Sequence, residues 1–222
     1  RHGMGQFILT GSAVPAKLEE LHHTGTGRIA RLLMRPMSLW ESGDSNGTIS
    51  LKELFTSPKS IAAENNNDLQ RISYLICRGG WPQAALLDDD EEIALDQAID
   101  YYDAVVNADI QRVDGVERNP ERVKRLMKSY ARSQGTQTSL AEIRNDMLAN
   151  DQLALDEKTV SSYLDALRKI FVIEDMPAWN PNLRSKTSIR TTDTRYFVDP
   201  SIATAALSIG PNDLMNDLNT LG

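Results

Sequence analysis

The sequence of 222 residues has a single cysteine, and no apolar stretch in it is long enough for a membrane helix. One cysteine cannot form an internal disulfide, so a disulfide-stapled secreted fold is excluded. A spanning helix needs about 18 or more apolar residues in succession, and no stretch approaches that length. No charged-then-apolar signal peptide with a cleavage site is visible either. These absences predict a cytoplasmic protein with no membrane partner.

The sequence is also poor in the side-chain groups that carry out catalysis or bind metal. It has three histidines, and no nucleophile–base pair or ligand cluster emerges from the spacing of its residues. Cys77 lies in the apolar stretch 74–77, which predicts a small core residue. A stand-alone enzyme is therefore the weakest functional class, and we expect no metal site. The net charge of −7 argues against a protein coated by nucleic acid, although local basic patches remain to be considered.

The first forty residues have the pattern of an α/β edge. Residues 5–12 form an apolar run with polar residues at its end, residues 15–23 resemble a short helix, and residues 29–39 alternate apolar with polar positions. A lone strand cannot satisfy its backbone or bury both faces. We therefore expect residues 1–41 to be the C-terminal remnant of a larger parallel α/β domain, whose chemistry lies mainly upstream.

Residues 42–117 are predicted to be entirely helical. Ser50 to Glu53 form a capping-box pattern that starts a short helix. A second helix is expected over residues 68–78, with apolar side chains on one stripe and Gly79-Gly80 as its stop. A third, longer periodic segment covers residues 93–106.

Residues 118–209 are predicted to have a different order of elements, with three helices followed by two strands. The helices are expected at 120–132, 139–148 and 156–169, and the strands at 170–179 and 195–198, before Asp199 caps a last helix. Three helices and then a β-hairpin is the order of a winged helix. Residues 210–222 are predicted to be a linker or a truncated end. The fold class expected for the chain is mostly α with minor β.

Four short motifs occur in order along nearly the whole chain. They are Phe7–Ser12, Gly27–Ile29 leading to Arg35–Glu41, Gly79–Pro82 and Phe197–Pro200. Together they resemble a group of bacterial and archaeal AAA-type ATPases, which join a nucleotide-binding core to a helical lid, a winged helix and a C-terminal domain of uncharacterised function. The resemblance implies that residues 1–41 end the core, 42–117 form the lid and 118–209 the winged helix.

The sequence departs from that family in its missing phosphate loop. Neither GxxxxGK(S/T), whose amides and lysine cradle phosphates, nor the acidic strand end that follows it is present. We therefore expect the chain alone not to hydrolyse ATP. The resemblance implies that ATP and Mg²⁺ are bound by the intact parent, which could form a homo-oligomer through its ATPase core.

The resemblance also implies catalytic roles for three residues near the start of the chain. Arg28 lies where such ATPases present an arginine finger to a neighbouring subunit, because a planar guanidinium neutralises charge on the transferred phosphoryl group. Thr10 and Ser12 lie where a sensor hydroxyl positions the attacking water. Alternatives stay open, since Arg28 could be a surface residue paired with a nearby glutamate, and the two hydroxyls could cap a turn.

Arg78, directly before Gly79-Gly80-Trp81-Pro82, could reach back from the lid to the nucleotide. The simpler interpretation is that the two glycines end a helix and allow Trp81 to pack.

Non-specific DNA is the other candidate partner. Six Lys or Arg residues lie between residues 118 and 134, and the predicted hairpin carries Arg184, Lys186 and Arg190, the residues expected to contact nucleic acid. The helix at 156–169, in the recognition position, is close to neutral, which argues against sequence-specific reading. The alternative function is therefore a winged-helix module that binds nucleic acid or packs against a protein, without ATPase activity.

Overall fold

A computed structural model describes residues 7–12, 29–57, 62–87, 90–148, 156–179 and 192–222. This part of the chain is mostly helical, as the sequence predicts. Each helix in it is too short or too polar to cross a lipid bilayer. Buried apolar residues occur from Tyr74, in the helix at 69–78, to Leu214, and a connected core cluster of them extends from Val105 to Ala206.

The helices run through the described chain in the following order. Before residue 118 they are α1 (Leu51–Thr56), α2 (Leu69–Arg78), α3 (Pro82–Leu86), α4 (Glu91–Ala104), a π-helical turn (Val105–Asp109) and α5 (Ile110–Arg112). After it they are α6 (Pro120–Arg132), α7 (Leu140–Leu148), α8 (Glu157–Lys169), α9 (Pro200–Leu207), α10 (Pro211–Asn216) and α11 (Leu218–Leu221).

Side-chain caps fix the starts of these helices where the sequence places them. Ser50 and Glu53 form the reciprocal capping box of α1. Asp68 and Asp156 each accept a hydrogen bond from the backbone N–H three residues later, at the starts of α2 and α8. Asn119 caps α6, whose first residue is Pro120. The predicted bounds of α6 and α8 are therefore confirmed.

Helix α9 lies at the centre of the packing, in contact with α2, α4 and α6. Its buried residues are mostly small, which lets the surrounding helices approach its backbone closely; they are Ser201, Ile202, Ala203, Thr204 and Ala206. Helix α7 packs on α6, α8 packs on α7, and α10 packs on α2. The C-terminal helices therefore close the structure against elements from its other end.

Two extended segments follow α8 and pair antiparallel. Ile173 is bridged to Phe197, and Met176 is bridged to Thr194. Phe197 also meets the Tyr130 ring edge-on, with centroids 5.1 Å apart, so the pair is anchored on α6. The predicted pairing of these segments is confirmed, but only as isolated bridges and not as long strands.

Two expectations at the ends of the chain differ from the structure. The strands predicted at 5–12 and 29–39 are absent from the described residues 7–12 and 29–39, where Phe7, Ile8 and Leu9 are almost fully exposed. A strand needs hydrogen-bonding partners along its edge, and the described residues supply none. Where the sequence predicts a linker or a truncated end at 210–222, the structure has α10, whose Leu214 is buried and which packs on α2, and then α11.

Candidate functional site

The end of α2 is a tight crossing of three chain segments around two glycines. Gly79 has φ of +72°, and a Cβ there would overlap the side chains of Asp199 and Ser201. A Cβ on Gly80 would overlap the backbone of Met37. Only glycine fits either position without displacing a neighbour. We call this crossing, formed by residues 79–81, 199–201 and 37, the glycine junction.

Hydrogen bonds close the glycine junction from both sides of Gly80. The Gly80 N–H donates to Oδ2 of Asp199 at 2.8 Å, and the Gly80 carbonyl accepts from the N–H of Met37 at 2.7 Å. The other oxygen of Asp199 accepts from the N–H and the hydroxyl of Ser201, and so caps α9. Asp199 therefore joins the end of α2 to the start of α9.

Trp81 adds an apolar and a polar contact to the junction. Its indole N–H donates to Oγ of Ser201 at 2.9 Å, and its ring lies 4.4 Å from the ring of Tyr101 on α4. The simpler interpretation of Gly79-Gly80 is thus confirmed: the helix ends at Arg78 and Trp81 packs.

The segment before α1 is attached to this body at three points. Arg35 forms a bidentate ion pair with Glu174 beside the antiparallel pair. Met37 bonds to Gly80, and Asp44 forms ion pairs with Arg71 at 2.7 Å and Arg78 at 2.6 Å. We call residues 35–44 the strap, because they cross from the antiparallel pair to α2.

Asp44 and Arg78 form the most buried of these attachments, with 7% and 2% of their side chains exposed. Burial alone would raise the pKa of Asp44, but hydrogen bonds from Ser42, Arg78 and Arg71 outweigh it and lower the pKa below its usual value. The carboxylate therefore stays ionised, which satisfies a guanidinium that would otherwise be a buried uncompensated charge.

A second charged network holds the antiparallel pair to α6 and α8. Asp175 accepts hydrogen bonds from the hydroxyl of Tyr130, from Arg168 at 2.6 Å and from Arg195 at 2.9 Å. Burial would raise the pKa of Asp175, yet these hydrogen bonds and the two positive charges lower it overall. Arg195 also donates to the carbonyl of Thr138, so this network fixes the loop before α7 as well.

Several basic residues of the run at 118–134 form ion pairs with acidic side chains. Arg118 is almost fully buried and bonds both oxygens of Asp114. Lys124 is paired with Glu121, and Arg132 is paired with Asp146. At least three of the six cations predicted to form a basic surface are thus paired with carboxylates within the protein.

The outward face of α8 is similarly balanced. Glu157, Lys158 and Asp165 are exposed, while Arg168 is held between Asp165 and Asp175. A helix that reads or tracks phosphates needs a surplus of free positive charge. Counted with its cap Asp156, α8 carries three acidic side chains against Lys158, Arg168 and Lys169, so it has no net positive charge.

The predicted site residues fall into three groups. Arg28, Arg184, Lys186 and Arg190 lie outside the described residues. Thr10 and Ser12 are described, and both are exposed on a stretch that forms no strand. Arg78 is buried, and its guanidinium bonds Asp44 and the carbonyl of Gly79. The structure therefore brings none of the described members of this set together.

Sequence reasoning missed the two carboxylates on which the described geometry depends, Asp44 and Asp175. Asp44 lies in a Ser-, Gly- and Asn-rich turn, where an acidic residue is ordinary, so no local signal marked it. Asp175 lies in a segment that the periodicity assigned to a strand, and only its tertiary neighbours explain the charge. A third carboxylate, Asp199, was visible from the sequence as a helix cap, but its bond to Gly80 was not.

Two further features bear on chemistry. Among the residues that the structure describes, no three His, Cys, Asp or Glu side chains are grouped so that they could hold a metal ion. Cys77 is buried in α2, and this burial raises the pKa of its thiol to about 11, so it remains a protonated core residue.

Comparison with known proteins gives one match. No curated protein and no solved structure is similar to the chain. A family model described as a domain of unknown function (DUF8612) matches residues 69–213, which is more than half of the sequence and nearly the same span as the buried core. The chain therefore belongs to the DUF8612 family.

Proposed function

We propose that this chain is the coupling part of an AAA-type ATP-binding protein, which joins the end of the ATPase core to a helical lid and a winged helix. The observation that carries the proposal is the glycine junction. Three of the four motifs on which the resemblance rests supply residues to it: Met37, Gly79 to Trp81, and Asp199.

The spacing of these motifs makes the junction informative. Gly80 and Asp199 are 119 residues apart in the sequence, yet they share a direct hydrogen bond. Residues that meet from such distant segments are constrained by the tertiary structure and not by local helix formation. A joint of this kind suits a protein in which movement of one segment is passed to another.

The elements around the junction agree with a winged helix. Helices α6, α7 and α8 are followed by the antiparallel pair, which is the element order of that fold. The balanced charge of α8 and the paired cations of α6 favour a role in packing domains or subunits over a role in binding DNA.

The described residues do not by themselves form a nucleotide site. Arg78 is the described residue assigned to nucleotide binding, and its donors are engaged by Asp44 and by the carbonyl of Gly79. Thr10 and Ser12 are exposed to solvent, and the described residues include no phosphate-binding loop. In this proposal, ATP and Mg²⁺ are therefore bound by parts of the parent that precede the coupling region.

The first test is to read the coding sequence upstream of Arg1. A GxxxxGK(S/T) motif in the same frame is the expected result, and the protein expressed from that longer frame should bind a fluorescent ATP analogue. A frame that continues upstream without such a motif, or a longer protein that binds no nucleotide, would overturn the proposal.

The second test asks whether the junction couples nucleotide hydrolysis to the lid. Asp199→Asn in the longer protein should lower ATP turnover several-fold while binding of the analogue is retained. Asp193→Asn is the matched control, because Asp193 is an exposed aspartate six residues away without an ion pair among the described residues. Equal ATP turnover in both variants would show that the junction has no coupling role. The ATPase assignment would then depend on the first test alone.

A further inference from the structure

We propose that the strap, residues 35–44, is a detachable element whose docking is sensed at the start of α9 through Gly80. This inference rests on contacts within the chain and holds whether or not the parent binds ATP. It concerns a conformational device built into the fold.

The strap is held mainly by polar contacts, unlike the helices beneath it. Its attachments are the exposed pair between Arg35 and Glu174, the backbone bond from Met37 to Gly80, and the ion pairs of Asp44. None of its large apolar side chains is fully buried, since Leu39 and Trp40 are 47% and 68% exposed and Met37 is half-buried. Segments with few buried apolar contacts open at a lower free energy than the core.

Gly80 connects the strap to α9 through its own backbone. Its carbonyl accepts from the strap at Met37, and its N–H donates to Asp199, which in turn holds the N–H of Ser201. Any shift of the strap that breaks the first bond frees Gly80 to move away from Asp199. The segments at this crossing are closely packed, because a Cβ on Gly79 or Gly80 would overlap a neighbour. We therefore expect the bond between the strap and Gly80 and the cap of α9 to open together.

Asp44 is the positioning residue that keeps the strap docked. Its carboxylate faces two guanidinium groups, those of Arg71 and Arg78, and one hydroxyl, that of Ser42. The carbonyl of Asp44 also accepts from the side chain of Asn67. Neutralising Asp44 therefore weakens the end of the strap that is most deeply buried, without touching the contact at Gly80.

The experiment is amide hydrogen exchange on the whole 222-residue chain, followed residue by residue by NMR. In Asp44→Asn we expect the amide of Met37 to exchange about tenfold faster or more, the factor for losing one hydrogen bond to a charged group. The amides of Gly80 and Ser201 should accelerate with it, and all three should open at a lower free energy than the amide of Leu126 in α6.

A second variant breaks the strap at a different point. Met37→Pro removes the N–H that bonds to Gly80, and it should accelerate the same two amides, Gly80 and Ser201. The matched controls are Asp96→Asn, at an exposed aspartate of α4, and Met34→Pro, at an exposed residue just outside the strap. Both should leave the exchange rates of the Met37, Gly80 and Ser201 amides unchanged.

Two results would overturn the inference. If Gly80 and Ser201 exchange at the wild-type rate in both variants, the strap is not coupled to α9. If the amides of Gly80 and Ser201 open at the same free energy as the amide of Leu126 in both variants, the strap is not a separable element but part of the global fold.

Discussion

Residues 29–57 and residues 69–214 contain similar apolar side chains, but several of those in the first region are exposed, whereas the second region has a buried core. In the first region Leu32, Met34 and Phe55 are each more than 80% exposed, and α1 has no buried residue. In the second, Leu126, Leu164 and Ile202 have no exposed surface. The difference lies in the partners: helices α2 to α10 pack on one another, whereas the first region is joined to them by the hydrogen bonds and ion pairs of the strap. Apolar composition alone therefore does not produce a core.

The family match follows the same division. The family model covers residues 69–213, and the buried core begins in α2 and ends at Leu214. The unit shared by the family is thus the packed helical body, and the strap is attached to that unit from outside it.

The largest predicted effect separates the two regions directly. Leu126→Ala should destabilise the protein by about 2–5 kcal/mol, because it leaves a cavity in a fully buried site. Leu32→Ala should change stability by less than about 0.5 kcal/mol, because its side chain is already in solvent. Urea unfolding of both variants measures the difference, and equal losses would show that residues 29–57 are part of the core.

The next effect concerns the charged network of the body. Asp175→Asn should cost about 3 kcal/mol at neutral pH, because Arg168 and Arg195 lose their shared carboxylate. The pKa of Asp175 is lower in the folded protein than its ordinary value of 3.8. Its contribution is therefore present above about pH 4 and is lost as the pH falls further.

Unfolding measured between neutral and acidic pH tests this linkage. The stability difference between wild type and Asp175→Asn should shrink as the pH drops below about 4. A difference that stays constant over this range would mean that Asp175 does not change its pKa on folding.

A smaller effect is expected where the strap meets the body. Gly79→Ala should cost about 2–3 kcal/mol, because it combines a left-handed backbone with overlap of Asp199 and Ser201. Gly115→Ala is the matched control, since Gly115 has a similar φ of +70° but open space around it, and it should cost about 1 kcal/mol. Similar losses in denaturant unfolding would indicate that the junction can relax to accept a side chain.

The smallest effect is predicted for the exposed end of the strap. Glu174→Gln removes the ion pair with Arg35, whose side chain is 58% exposed, so the thermal unfolding midpoint should not change measurably. A clear drop in the midpoint would mean that the strap contributes to the stability of the body and would weaken the contrast between the two regions.

Much of the helical framework could be predicted because its signals are local. Asp68, Asn119 and Asp156 cap helices through bonds to residues two or three positions away, and Pro120 and Gly79 mark ends by their own backbone limits. The strands expected at 5–12 and 29–39 could not be judged this way, because a strand depends on a distant partner. The same limit applies to the candidate site, where the sequence suggests nucleotide as one partner of Arg78 and gives no sign of Asp44, thirty-four positions earlier, to which its guanidinium bonds.

The sequence by itself determined where α2, α6 and α8 begin and end, that Cys77 belongs to the core, and that two glycines stop α2, since each depends on neighbouring residues or on side-chain type. Only the tertiary structure decided that Gly80 lies between Met37 and Asp199, that Asp44 neutralises Arg78, and that Asp175 binds Arg168 and Arg195. These contacts join residues far apart in the chain, and their free energy comes from burial and charge pairing that exist only after the helices have packed.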